Sequence, residues 1–388
     1  MLLKLVWNKL WFRKLNSLLC ILLMAIGVAI ISLVASVGSQ LEKQFSGNIS
    51  GIDMVLGAKG SPLQLILAAV FHIDAPTGNI ALAEAEQYEH NPMVKTFIPL
   101  SFGDNYQGFR IIGTDQRFSE FYKLNSNSGF PGEMKVILGS EVARLSQLKT
   151  GDRFQSSHGL DQDGESHEES AYEVIGIAQK TGTVADKLII TSLESVWHIH
   201  EHGEENGPKE ITAALVKFKS PMGIMTIPRQ VNENTTMQAA LPPIEINRLF
   251  SLFDSAIQVA RYLAYLIVLV SGISVFISLY NSLKDQRNEK ALMMSMGASR
   301  GKIFLMLLLE GIFLSLLGYL LGILLSKITI LVLQHVANNA YLEQMNAFAW
   351  SGTEIYLLLM ALLIGVVSAA LPASGVFRIN IAQTLARD

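Results

Sequence analysis

Residues 15–38 run for 24 positions without one charged side chain. A helix needs about 20 apolar residues to cross the hydrocarbon layer of a bilayer. This stretch therefore confines the chain to a membrane-spanning architecture or to one with a cleaved leader. A leader's apolar core is usually about 7–15 residues. The residues before Cys20 are Ser17-Leu18-Leu19, without the small residue a lipoprotein cleavage site wants. The stretch is read as an uncleaved first span. Runs of the same kind recur at 257–280, 303–333 and 355–371, giving four spans.

The polar segments between the spans set the orientation. Residues 282–302 carry Lys284, Arg287, Lys290, Arg300 and Lys302. Short loops rich in Lys and Arg stay in the cytoplasm. Residues 39–255 then lie outside, and they hold 17 basic against 27 acidic residues, a net of −10, while the rest of the chain nets +7. Residues 335–353 contain no Lys or Arg, as an external loop should. Residues 1–14 place Lys4, Lys9, Arg13 and Lys14 among Trp7, Trp11 and Phe12, a basic-aromatic segment suited to the cytoplasmic interface. Both termini are thus expected inside. Charged residues make up 16% of the chain, against about 25% in an ordinary soluble domain.

Within 39–255 the pattern alternates between strand-like and helix-like stretches. Strands are expected near 51–56, 94–99, 109–113, 136–138, 172–178, 187–191 and 213–219. Helices are expected near 82–90, 140–148, 192–202 and 222–232. The fold class is an α-helical membrane protein with a large extracytoplasmic α/β domain between helices 1 and 2. A smaller, mostly-β piece is expected inside it around 133–210. Residues 244–255 read as a helix that continues straight into the second span.

The chemistry is sparse. Gly297-Ala298-Ser299-Arg300-Gly301-Lys302-Ile303 is one residue short between its glycines for a phosphate-binding loop, and Ile303 stands where a hydroxyl would hold magnesium. The chain is not expected to hydrolyse ATP. Glu310 is an intramembrane carboxylate, a functional candidate by its cost alone, but it sits about two turns, roughly 12 Å, from the cytoplasmic end. Pairing with Arg300 or Arg287 is the plainer reading. Gly318 and Gly322 form a G-x-x-x-G pair that lets two helix backbones approach closely. His198, His200 and His202 alternate beside Glu201, Glu204 and Glu205, a donor set that suits zinc if extended. On a helix alternate residues do not share a face, and a solvated polar loop is the simpler alternative. Cys20 reads as a small buried hydrophobe. No nucleophile elbow accompanies His72, Asp74 or His90, and the acidic external domain offers nothing to nucleic acid.

The run Arg287-Asn288-Glu289-Lys290, Met296-Gly297-Ala298-Ser299, Ile303, Glu310, Gly318 and Gly322 resembles the FtsX-like permease signature. One helix, a large external domain and three further helices resemble the MacB/LolC/LolE-type ABC transporter permeases. Gly139-Ser140-Glu141, Gly151-Asp152 and Thr181-Gly182-Thr183 before Asp186 resemble the MacB-type periplasmic core. The resemblance implies that two permease chains pair and bind two ATPase subunits, which hold ATP and magnesium. Arg287, Glu289, Lys290, Gly297, Ala298, Ser299 and Arg300 would form the coupling element. Motion would pass through rigid helices to the external domains, acting on a lipoprotein, peptide, amphiphile or metal chelate, with a periplasmic or lipoprotein partner. MacB carries its ATPase ahead of its first span. Here 14 residues precede it, so the ATPase is expected in trans. The alternatives are a regulator of a periplasmic cell-wall hydrolase, like the division-associated members, and a sensor that works without ATP.

Overall fold

The computed structural model describes residues 6, 12, 14–126, 128–157, 166–200, 209–336, 345–350 and 352–378, without the side chains of 157, 166–170 and 200. They fall into two units, Lys43–Leu252 and the pair Met1–Glu42 with Phe253–Asp388.

In chain order the helices are α1 (Lys14–Ile49), α2 (Pro62–Ala69), α3 (Leu82–Glu89), α4 (Gln116–Phe121), α5 (Ser140–Ser146), α6 (Leu193–His200), α7 (Pro221–Asn234), α8 (Pro242–Asp285), α9 (Arg287–Ser295), α10 (Arg300–Val336) and α11 (Gly352–Ser374). The strands are β1 (Met54–Ala58), β2 (Ile80–Ala81), β3 (Val94–Tyr106), β4 (Phe109–Thr114), β5 (Lys135–Leu138), β6 (Arg153–Ser157), β7 (Ser166–Ile177), β8 (Ile189–Ser192), β9 (Glu210–Ile211), β10 (Ala213–Phe218) and β11 (Met237–Ala240).

The unit Lys43–Leu252 is built on a nine-stranded sheet in the order β11-β1-β10-β3-β4-β8-β5-β7-β6, and β6 returns to β3 through Asn105 opposite Ser157. The α/β class read from the sequence holds, and the sheet is mixed: β4 runs parallel to β8 and β5 to β7, while the other pairs are antiparallel. β3 is the strand that both halves share. Its first half pairs with β10 and its second half with β4, with a break in register between Phe102 and Asn105. A bulge bends a strand and adds twist, which lets β3 leave an open sheet and close a ring. Gln107 and Gly108, at φ 51° and 82°, form the two-residue turn from β3 to β4. Positive φ at both central positions matches the twist of the flanking strands.

Each half has its own core. Met54, Leu56, Phe97, Ala214 and Val216 of the open sheet meet Ile227 and Val231 of α7. Ile111, Val136, Leu138, Phe154, Tyr172, Val174 and Ile189 cluster within the ring. The open edge at β11 is blocked by a side chain. Asn232 accepts from the Ala239 N–H at 2.7 Å and donates to its carbonyl at 3.1 Å, occupying the ladder groups that another strand would use.

Among the described residues, four helices are long and apolar enough to cross a membrane: α1, α8, α10, and α11 with the 3-10 turn that follows it. At 1.5 Å per residue, α1 and α8 both exceed a hydrocarbon thickness of about 30 Å. α10 is central to the packing. A Cβ on Gly318 would lie 2.6 Å from Met24 Cβ, and one on Gly322 would lie 2.7 Å from the Ala25 carbonyl oxygen, so α1 rests directly on the α10 backbone. On α10 Gly311 stands equally close to Gly365 O, at 2.8 Å from an added Cβ, which brings in α11. The helix of the fourth span runs past residue 371: Pro372 lies inside α11, which continues to Ser374. So near the end of a helix its missing N–H removes only one backbone bond.

Candidate functional site

The polar segment between the second and third spans is a short helix with a defined stop and restart. α8 ends at Asp285, and the Gln286 N–H bonds to Ser282 O at 3.2 Å. α9 then runs for nine residues. Its end is closed by Gly297 at φ 98°, with the Gly297 N–H bonded to Met294 O and the Ala298 N–H to Met293 O, both at 3.0 Å. This is the cap that a left-handed residue just past a helix provides, and glycine takes that conformation without a Cβ penalty. Two residues on, Ser299 begins α10: the Lys302 N–H points to Ser299 Oγ at 3.4 Å and bonds to its carbonyl at 3.0 Å. The Gly-Ala-Ser sequence is thus a helix stop followed by a helix start.

One face of α9 is fixed. Met294 packs with Ile303, Leu307, Ala373 and Val376, and Ala298 and Leu283 join that cluster. Lys290 is buried at 4% exposure and donates from Nζ to Ser282 O at 3.0 Å. It therefore anchors α9 to the end of α8. Glu310 is also buried, at 5%, and is engaged rather than free.

The opposite face is open. Arg287, Glu289, Ser299 and Arg300 are exposed, as are Leu292 at 54%, Met293 at 36% and Met296 at 81%. Glu289, Leu292, Met293 and Met296 follow the i, i+3, i+4, i+7 spacing of one helical face. The three apolar residues were missed by a reading centred on charge, although the same spacing in the sequence marks them. Methionine surfaces adapt readily to a partner.

A second group was also missed. Lys327 on α10 reaches Glu354 Oε1 at 2.5 Å and the Ala349 carbonyl at 3.0 Å; Glu354 is buried and Lys327 is partly buried. The Tyr319 hydroxyl donates to the Glu354 carbonyl at 3.2 Å. Loop 345–350 is tied down further by the Gln334 amide on Met345 O and by the Asn346 N–H on Gln40 Oε1 at 2.7 Å. Lys327 was visible in the sequence as a lone cation in a span; its partner, 27 positions on, carried no local signal.

In the sheet domain, the Thr181-Gly182-Thr183 loop is organised by Asp186. This carboxylate is fully buried and accepts from Thr181 N at 2.8 Å, Thr181 Oγ1 at 2.9 Å and Gly182 N at 2.7 Å. A Cβ on Gly139 would collide with the Ala185 and Asp186 carbonyls, which explains the glycine before Ser140. His198 lies exposed on α6 with Nδ1 3.1 Å from Glu133 Oε1. His200 is the last residue of that helix, and His202 lies outside the described residues. Among the described residues no three His, Cys, Asp or Glu side chains are grouped as a metal site.

Two family models match the chain. The MacB-like periplasmic core domain matches residues 17–239, and the FtsX-like permease C-terminal domain matches residues 262–381. No curated protein matches in sequence. Among solved structures, the periplasmic region of MacB from Actinobacillus actinomycetemcomitans overlaps at 10% identity, covering 53% of this chain and 97% of that one, with a TM-score of 0.36. The extracellular domain of the noncanonic ABC-type transporter YknZ from Gram-positive bacteria overlaps at 13% identity, covering 48% of this chain and 98% of that one, with a TM-score of 0.32.

Proposed function

Because the chain belongs to the MacB/FtsX-type ABC permease family, a family of multi-pass, generally non-catalytic transporter subunits, we propose that it couples ATP hydrolysis on a separate cytoplasmic ATPase to movement of its external domain. The observation that carries this reading is the open face of α9. A nine-residue helix, anchored on one side by Met294 and Lys290, presents Arg287, Glu289, Leu292, Met293 and Met296 on the other. An apolar ridge bordered by charge is what a protein partner recognises, and the positive-inside rule puts it in the cytoplasm. The chain has no phosphate-binding loop of its own, so the nucleotide chemistry falls to that partner.

In this reading two copies pair, and closure of two ATPase subunits displaces the α9 segment. α8, a single helix from Pro242 to Asp285, is the element through which the displacement passes. The buried Lys290 serves as the joint between α8 and α9, and Arg287, Glu289 and Arg300 as the contact. Gly297, Ala298 and Ser299 set the angle at which α9 meets α10. The substrate is an envelope or periplasmic molecule, and both termini are cytoplasmic in a bacterial inner membrane.

The test is copurification of the tagged chain with its ATPase, followed by ATPase assays. Glu289→Lys and Arg300→Glu should each reduce stimulation of the ATPase by about tenfold while leaving membrane insertion intact. If no ATPase accompanies the chain and none is stimulated by it, the reading fails.

A further inference from the structure

The sheet domain contains a cavity of about 420 Å³ where the end of α1, the segment after α4 and the loop 179–183 converge. Its size falls within the roughly 300–1,000 Å³ of small-molecule sites. Lys123 and Lys180 line it, together with Phe121, Tyr122, Asn125 and Gln179, and no lining residue is acidic. Neither lysine has an ion-pair partner among the described residues. Both are exposed on the surface of a domain whose net charge is −10. A second cleft nearby in sequence shows the contrast. It is lined by Glu89, Lys95, Arg117 and Glu120, and its arginine is paired with Glu89 at 2.5 Å and with Asp115 at 2.5 Å.

The cavity wall has a defined backbone. Lys123 stands just past the end of α4 at φ 52°, with its N–H on Glu120 O at 3.2 Å and the Leu124 N–H on Ser119 O at 2.8 Å. This is the same left-handed helix stop that Gly297 makes for α9. Glycine is the unstrained residue there, so lysine is held at this point at some conformational cost. The walls are held in place independently: the Gln179 N–H bonds to Asn125 O at 3.1 Å, the Val184 N–H to Asn48 Oδ1 at 3.3 Å, and Asp186 fixes the Thr181 loop.

We propose that this cavity binds a phosphate monoester. Such a group carries about −1.5 to −2 charge at neutral pH and three acceptor oxygens, matching two lysines and the Asn125 and Gln179 side-chain amides around them. The volume leaves room beyond the phosphate for the body it is attached to, against the Phe121 ring. The inference does not depend on ATPase coupling.

Full-length protein in phosphatidylcholine nanodiscs is titrated calorimetrically with inorganic phosphate, glycerol 3-phosphate and dihexanoyl phosphatidic acid. Saturable binding of glycerol 3-phosphate supports a soluble ester; binding of phosphatidic acid alone supports a lipid headgroup. Lys123→Asn, which tolerates the left-handed backbone, and Lys180→Gln should each weaken binding about tenfold, while Lys95→Gln in the other cleft leaves it unchanged. Lys123→Gly should raise the thermal midpoint yet lose affinity, separating a strained functional lysine from a structural one. Absence of saturable binding for all three probes, or equal binding by the Lys123→Asn/Lys180→Gln double variant, overturns the proposal.

Discussion

Replacing Gly297 by alanine isolates the backbone contribution to the α9 stop. An added Cβ meets nothing within 4 Å, so no steric clash accompanies the change. What remains is conformational: at φ 98° an L-residue is strained by about 1–2 kcal/mol. The chain could escape by unwinding the cap, but that breaks the bonds from Gly297 N–H to Met294 O and from Ala298 N–H to Met293 O. Each is worth about 1 kcal/mol. The two routes cost the same order, so the capped state should lose about 1–2 kcal/mol, a factor of about 5–30 in its population. Hydrogen exchange reads this directly: the amides of residues 297 and 298 should lose protection by that factor, with exchange in the sheet domain unaltered. Gly297→Asn should recover part of it, because asparagine enters the left-handed region more readily than alanine. ATPase stimulation should fall in the same order, Gly, Asn, Ala. Unchanged protection at 297 and 298 in the alanine variant, or an asparagine variant no better than alanine, would show that Gly297 is not a cap.

Other substitutions probe the membrane unit and the sheet domain. Lys327→Met leaves the buried Glu354 carboxylate without its cation and should destabilise by about 3–5 kcal/mol, while Lys327→Met/Glu354→Leu recovers most of the loss; additive effects in thermal unfolding would exclude the pairing. Gly318→Ala forces a Cβ to 2.6 Å from Met24 and should cost about 1–3 kcal/mol. At Gly301, on the same helix with open space around it, alanine should instead gain about 0.5–1 kcal/mol; equal midpoints for the two variants would refute the α1–α10 contact. His72 is held neutral by burial and by the nearby Arg110 guanidinium, which push its pKa down to about 3. Only the unfolded chain then takes up its proton below about pH 6.5. Its contribution is complete above that value and declines by up to about 1.4 kcal/mol per unit as pH falls toward 3. His72→Asn, compatible with φ 56°, should flatten that part of the stability profile, and an identical slope in variant and parent counts against the assignment.

Much of this architecture could be read from local patterns. The spans follow from runs of apolar residues, because transfer of each side chain into hydrocarbon is a nearly independent term. The expected orientation rests on Lys284, Arg287, Lys290, Arg300 and Lys302, because charge need only be counted on one side of a span. Gly297 and Ser299 mark the boundaries of α9 and α10 because capping is satisfied within a few residues. Gly318 and Gly322 announce a close helix contact, though not that Met24, Ala25 and Val28 of α1 would supply it.

What the sequence by itself determined was therefore which helices are long and apolar enough to cross a membrane, and the α/β class of the domain after the first of them. Tertiary structure decided the rest. It buried Lys290 while leaving Arg287 and Glu289 in solvent, joined Lys327 to Glu354, closed β6 onto β3 at Asn105 and Ser157, and gathered Lys123 and Lys180 into one cavity. The physical reason is the range of the interaction. Burial of an apolar run and capping of a helix end are settled by neighbours in sequence. Ion pairs, ring closure and cavity walls depend on which distant segments are brought together, and that choice belongs to the packing of the whole chain.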